Sequence, residues 1–197
     1  MEVEIKKQNP SKAEPKNRLT VAEYQNLEFD DNDTHLYELI DGELVRRSAP
    51  APKHQRLSRN ISFAIHQHIT ENKLGEVLYS PIDVFFDDYN VLQPDVVFIP
   101  KENASIITNN GIEGIPALVV EIISPSSIVR DRVIKKDLYE RFGVPEYWLV
   151  DPANQEIEIY ALEDGRYKVF SAASVVEGEL VSKTLAGFRV DLKRLFE

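Results

Sequence analysis

The chain has 197 residues, 43% of them hydrophobic and 28% charged, and no cysteine, a composition near the globular average that excludes fibrous and wholly disordered proteins. Its length suits one domain that buries about 70% of the surface its unfolded chain would expose. The missing cysteines exclude a disulfide scaffold, a thiolate metal site and a cysteine nucleophile, in keeping with a reducing compartment. A formal net charge of −10 argues against a protein that coats nucleic acid through bulk positive charge. No apolar run approaches the roughly 20 residues that span a bilayer, and the N-terminus lacks the apolar stretch of a secretory signal. A cytoplasmic protein with no membrane partner is the expectation.

Residues 1–18 are polar, hold two prolines and carry five Lys or Arg against three Glu, which predicts a flexible arm ahead of a single domain over 19–197. Thr20 caps a short helix over 21–27, with Glu23 placed as in a capping box. After the acidic stretch Asp30, Asp31 and Asp33, two alternating runs flank Asp41-Gly42, the turn signal of a β-hairpin over 36–47. From 54 to 70, Leu57, Ile61, Ala64, Ile65 and Ile69 recur at three or four and predict a helix. Strands follow at 77–86, 91–99 and 118–123, with a long loop rich in Asn and Gly over 100–116. The strand at 118–123, LVVEII, is apolar on both faces apart from one Glu and reads as central. A helix over 128–142 stops at Gly143, and strands at 146–150, 156–162 and 166–170 complete the pattern, the last two joined around Asp164-Gly165. Hairpins and crossover helices alternate, so the fold class is α/β in the loose sense, or α+β, with a mixed sheet.

Three places carry charge where the pattern asks for apolar residues. Glu121 stands in the middle of the most apolar strand and needs a partner there, either a structural ion pair with a Lys or Arg or a functional one. On a helical projection with Ile128 at zero, Asp131 falls at about 300° and Lys135 at about 340°, inside the arc of Ile134, Leu138, Phe142 and Tyr139. The neighbouring Lys136 falls outside that arc; an Asp-Lys pair four apart also supports a helix, but on its exposed face. Gln93-Pro94-Asp95 interrupts a strand, as a strand-end turn or as a bulge of the kind frequent beside active sites. Two carboxylates on adjacent strands can hold a hard divalent cation, and an inward ammonium nearby can orient a water and offset negative charge, which is equipment for hydrolysing a phosphodiester. With carboxylates as the candidate ligands, Mg²⁺ or Mn²⁺ fits better than Zn²⁺.

Pro94-Asp95, Glu121-Ile122-Ile123, the run Ser124, Pro125, Ser126, Ser127, then Asp131, Lys135, Tyr139 and Gly143 to Pro152, together with Tyr37 to Leu44 and His54, resemble the Uma2 family of restriction-endonuclease-like proteins within the PD-(D/E)XK nuclease superfamily. The likeness covers roughly 19 to 195. It implies a core of a mixed four-stranded sheet flanked by helices, and a metal-dependent nuclease site. Asp95 and Glu121 match the metal-binding acids, and Glu38 an upstream acid that completes the metal shell. The superfamily's usual lysine position, two residues after the second acid, is Ile123 here. In this group the lysine moves to the following helix, where Lys135 matches. Asp131 is then a positioning partner of Lys135, and Tyr139 and Ser124 are further family positions at the site. His54 is either a catalytic histidine or a cap or core one.

The leading expectation is a Mg²⁺-dependent endonuclease with Asp95, Glu121, Lys135 and Glu38 as its machinery and nucleic acid, DNA in the first place, as its partner. Basic residues gather locally, with six Lys or Arg and one Glu between 46 and 73, enough for a local attractive field although each cluster is also compatible with a solvated face. The rival is a nuclease-fold protein that cuts nothing and acts as a nucleic-acid-binding or regulatory module. A glycosidase pair is a third reading, poorly served by an inward lysine. A homodimer through the apolar C-terminal hairpins would suit double-strand cleavage.

Overall fold

The computed structural model describes residues 18–29, 32–33 and 35–197, so the arm expected over 1–18, Arg18 apart, and Asp30 and Asp31 of the acidic stretch lie outside the described residues. The short helix α1 (Val21–Gln25) opens with the predicted capping box, Thr20 and Glu23 satisfying each other's backbone N–H groups. β1 (Leu36–Ile40) and β2 (Glu43–Arg47) pair antiparallel around Asp41 and Gly42, both at positive φ (48° and 80°), the backbone a two-residue hairpin turn requires. Gly42 is also irreplaceable on space, since a Cβ there would stand 2.7 Å from the Cβ of Arg18. α2 (Pro52–Asn72) starts on a proline, turns its stripe of Leu57, Ile61, Ile65 and Ile69 inward, and stops at left-handed Lys73.

The strand expected over 77–86 is two strands, β3 (Gly75–Tyr79) and β4 (Val84–Asp87), in different sheets and separated by a bend with a cis Ser80-Pro81 bond. The strand expected over 91–99 is likewise split at Gln93-Pro94-Asp95 into β5 (Asn90–Leu92) and β6 (Val96–Pro100), because Pro94 cannot donate to a ladder. The expected loop over 100–116 is structured instead: a 3₁₀ turn at Lys101–Ile106, then β7 (Ile107–Thr108) and β8 (Gly111–Glu113) as a small hairpin. β9 (Leu118–Ile122) is followed by a π-helical turn (Arg130–Lys135) that runs into α3 (Lys136–Phe142), which ends at left-handed Gly143. β10 (Glu146–Asp151), β11 (Glu156–Glu163) and β12 (Arg166–Ser174) come next, the last two joined through Asp164 and Gly165, again both at positive φ. β13 (Leu180–Val181), β14 (Arg189–Val190) and α4 (Leu192–Phe196) close the chain and had no counterpart in the pattern analysis.

The larger architecture is α+β. One six-stranded sheet runs β12-β11-β10-β9-β6-β3, mixed because β9 and β10 are parallel and the other pairs antiparallel. A second six-stranded sheet runs β2-β1-β5-β4-β8-β7. The four-stranded core implied by family likeness is thus extended on the β10 side by the β11–β12 hairpin. β9 lies between β10 and β6 with every residue buried, as a strand covered on both faces must be. Alternation then sorts its side chains. Leu118, Val120 and Ile122 face the layer of α2 and the C-terminal segment, with Leu180, Leu185, Phe188, Leu192 and Leu195. Val119 and Ile123 face the layer holding Leu138, Tyr139 and Ile40. Of the C-terminal hairpin expected to serve a dimer, Ile157, Ile159 and Ala173 lie in this core, while Val169 and Phe170 are exposed.

Candidate active site

Period-two alternation puts Glu121 on the face shared with Val119 and Ile123, under α3 and beside β1. The end of the π turn delivers Lys135 to the same place. Its Nζ lies 2.8 Å from Oε1 of Glu121 and 2.7 Å from Oε1 of Glu38 on β1. Glu121, Lys135 and Glu38 are each no more than 1% exposed. Tyr139, one turn after Lys135, donates its hydroxyl to the same Oε1 of Glu121 at 2.6 Å, and the backbone N–H of Gln93 donates to Oε1 of Glu38 at 2.8 Å.

Asp95 follows the proline that ends β5, next to β9. Its Oδ2 accepts the N–H of Ile122 at 2.8 Å and faces Nε2 of His54 at 3.2 Å, and its Oδ1 accepts from the Arg47 guanidinium at 3.2 Å. Arg47 also donates to the carbonyl of Gln93. His54 thus stands at the site, hydrogen-bonded to a carboxylate rather than buried among apolar side chains. Asp131 is buried too, but its carboxylate takes a hydrogen bond from Ser127 and acts on Lys135 through its field. The expected direct support of Lys135 by Asp131 comes instead from Glu38 and Glu121. Ser124 lies in the turn after β9, its N–H and hydroxyl both bonded to Ser127 Oγ at 2.9 Å.

These groups wall a pocket of about 220 Å³ lined by Asp95, Glu121, Lys135, Asp131, Arg47 and His54, and also by Ser124, Ser126 and Arg130. Four buried carboxylates, Glu38, Asp95, Glu121 and Asp131, share the region with the cations Lys135 and Arg47 and with titratable His54. The excess of negative charge bears on Glu121 above all. Burial, opposed by Lys135 but reinforced by Asp131, Asp95 and Glu38, pushes Glu121 up to about 8. Burial drives Asp95 the same way, yet His54, Arg47 and the Ile122 N–H outweigh it and hold that carboxyl below its ordinary value. Burial lowers His54, and Asp95 more than reverses this, so the imidazole is raised.

The model of a family described as "Putative restriction endonuclease", Uma2, matches residues 21–193. The chain belongs to the Uma2 family. An uncharacterised Synechocystis protein, sll1609, is 27% identical over 149 residues, which cover 72% of this chain and 80% of that one. The crystal structure of a "putative nuclease belonging to DUF820" from Anabaena variabilis superposes with a TM-score of 0.72 at 18% identity, over 90% of this chain and 97% of that chain. That likeness establishes the shared fold.

The Uma2 site has the donor chemistry for a hard divalent cation: carboxylate oxygens from Asp95 and Glu121 line the pocket, and no sulfur does. Oε2 of Glu38 is buried with no hydrogen-bond partner among the described residues, a free acceptor in a region already over-supplied with negative charge. The three acids do not, however, meet as a cage. Among the described residues no three His, Cys, Asp or Glu side chains stand close enough to hold one ion, and the Lys135 ammonium sits between Glu38 and Glu121 where they would converge. The arrangement fits a cation held by Asp95 and Glu121, with Glu38 engaged by Lys135.

Arg47 is the site residue that the sequence reading placed only in a basic cluster. The signal was available: a two-residue turn at Asp41-Gly42 sets Glu38 opposite Val45, and Arg47, two residues further, shares that face.

Proposed function

We propose that this Uma2 protein is a Mg²⁺- or Mn²⁺-dependent endonuclease that hydrolyses nucleic-acid phosphodiesters. The observation that carries the reading is one buried ammonium, Lys135, shared by Glu38 and Glu121 beside a third buried acid, Asp95. Such an assembly is costly to bury, and a purely structural role could be met by apolar residues at no loss. Asp95 and Glu121 would hold the cation. When bound, it polarises the phosphoryl group and lowers the pKa of a coordinated water.

The chain's own residues do the rest. Arg47, His54 and the Ile122 N–H fix the rotamer of Asp95, and Tyr139 fixes Glu121. Lys135 orients the attacking water and offsets charge on the pentacovalent phosphorus. Arg130 and the hydroxyls of Ser124 and Ser126 also line the pocket and bind the non-bridging phosphate oxygens.

The rival, a nuclease-fold protein that cuts nothing, draws support from one specific observation: each carboxylate near the pocket already has a cationic or hydrogen-bonding partner. Titration calorimetry with Mn²⁺ separates the two. The nuclease reading expects binding that Asp95→Asn abolishes and oligonucleotide cleavage that EDTA, Glu121→Gln and Lys135→Ala each remove. Cleavage surviving both substitutions in a purified preparation would sink it.

A further inference from the structure

A second groove adjoins the acid pocket. It has a volume of about 440 Å³ and is lined along one face of α2 by Gln55, Ser58, Arg59, Ser62, Phe63 and His66, and on the other side by Val77, Tyr79 and Ser80 from β3 and its end. Gln55, Ser58 and Ser80 line both cavities, so one runs into the other. From Gln55 to His66 the helix extends about 16 Å, the reach of a few nucleotides.

Two aromatic rings stand open in this groove, Phe63 at 66% and Tyr79 at 65% exposure, one from each wall. Rings left in water forfeit the gain from burial, and a pair of them facing one groove marks a binding surface more than a packing accident. The surrounding charge selects the occupant. α2 carries Lys53, Arg56 and Arg59 against a single acid, Glu71, near its far end, and Arg59 and His66 are exposed on the groove itself. The chain as a whole is at −10, so this is a local reversal of sign.

We infer that the α2–β3 groove binds a single-stranded stretch of nucleic acid, its unpaired bases stacking on Phe63 and Tyr79 and its phosphates met by Arg59 and His66. The inference rests on the nuclease reading for its direction, since the strand leaves the groove past Gln55 and Ser80 into the acid pocket. In a duplex each base face is covered by the next base pair, so an exposed ring finds a π-face to stack on only where bases are unpaired. Stacking of this kind is tolerant of sequence and combines with a basic wall that tracks the backbone.

The test is fluorescence anisotropy with a short fluorescein-labelled oligothymidylate, in EDTA so that nothing is cut, on the full chain. Phe63→Ala and Tyr79→Ala, both at exposed positions, each weaken binding about tenfold, while Tyr79→Phe, which keeps the ring, binds as the wild type does. Arg59→Gln lowers affinity and flattens its salt dependence. An oligouridylate bound as well as the oligothymidylate assigns the groove to both nucleic acids, and a preference assigns it to one. Binding of the oligothymidylate that ignores both alanine substitutions overturns the inference, as does equal loss for a duplex of the same length.

Hydrolysis of bis(p-nitrophenyl) phosphate with Mn²⁺ separates this from the reading of the acid pocket, because that small diester needs no stacking platform. Phe63→Ala leaves its rate unchanged. A protein that hydrolyses nothing yet loses oligothymidylate with Phe63 and Tyr79 keeps the groove and removes the nuclease. One that hydrolyses the diester with strand binding indifferent to both rings does the reverse.

Discussion

Replacing Lys135 with methionine tests the central electrostatic claim. The substitution keeps the length of the buried side chain and deletes an ammonium bonded at 2.7 Å to Glu38 and 2.8 Å to Glu121. Breaking one side of a buried ion pair costs about 3–5 kcal/mol, which for a chain of this size is a fall in Tm of about 6–20 °C. The pH dependence carries the sharper information. Glu121 is raised from 4.5 to about 8 in the folded chain, so between those values the folded state keeps a proton that the unfolded state has released. That contribution to stability is fully present below about 4.5 and is lost as pH rises through about 8. Lys135 is what holds Glu121 down against burial, so without it the carboxyl rises further. Near pH 6 Glu121 is protonated in both proteins. Above about pH 8 the wild type ionises it beside an ammonium and the variant has none, so the variant's deficit grows there by about 1.4 kcal/mol per pH unit. Urea melts followed by the fluorescence of Trp148, the chain's one tryptophan and fully buried, measure both limbs. A deficit equal at about pH 6 and about pH 9, or smaller at the higher pH, refutes the pairing of Lys135 with Glu121.

Three further substitutions probe the surroundings. Tyr139→Phe removes a hydroxyl donating at 2.6 Å to Glu121 while keeping the ring's packing, and costs about 1.5–3 kcal/mol above about pH 8, where Glu121 is ionised and the hydrogen bond goes to a charged group; an unchanged urea midpoint at about pH 9 speaks against it. Arg47→Met strips Asp95 of its guanidinium. Asp95 sits below its ordinary 3.8, so its contribution is present above that value and lost as pH falls through the lower folded one; the variant shows a shallower acid limb in melts between about pH 5 and pH 2. Gly42→Val forces a branched residue into φ 80° against Arg18 and costs about 1–3 kcal/mol, with cleavage falling alongside Tm because the hairpin carries Glu38.

What was legible in the sequence is what breaks a local pattern. Glu121 in an apolar strand and Lys135 in an apolar arc announced themselves, and both are buried as the pattern required. The helix that carries Lys135 departs from its pattern. Ile134, placed on its inner face, is 43% exposed, because residues 130–135 form a π turn that advances less per residue than the 100° the projection assumed. Lys135 survives the error because it lies at the junction with α3, where the α-helical register with Leu138 and Tyr139 resumes. Glu38 had only family likeness to single it out, since its partner Lys135 lies 97 positions away. Glu146 went unnoticed for the same reason. It is fully buried on β10, and its oxygens take hydrogen bonds from Trp148, from the Ser182 hydroxyl and from the N–H groups of Lys183 and Thr184, which pin the C-terminal segment to the sheet. No short sequence window contains both ends of the bonds from Ser182, Lys183 and Thr184.

The net charge of −10 therefore does not bear on nucleic-acid binding in the way a bulk figure suggests. Five of the described acids, Glu38, Asp95, Glu121, Asp131 and Glu146, are buried and add nothing to the charge of the outer surface, although Asp95, Glu121 and Asp131 line the pocket itself. The four at the pocket act over a few ångströms, where Lys135 and Arg47 stand among them, and beyond a Debye length of about 8 Å their field is screened. On the proposed path a strand meets α2, with three cations and one acid along its 21 residues, and Arg130, which lines the pocket. Affinity should fall with salt according to these few cations and not according to the whole chain, so a slope of log affinity against log salt larger than about four would require cations outside α2 and the pocket.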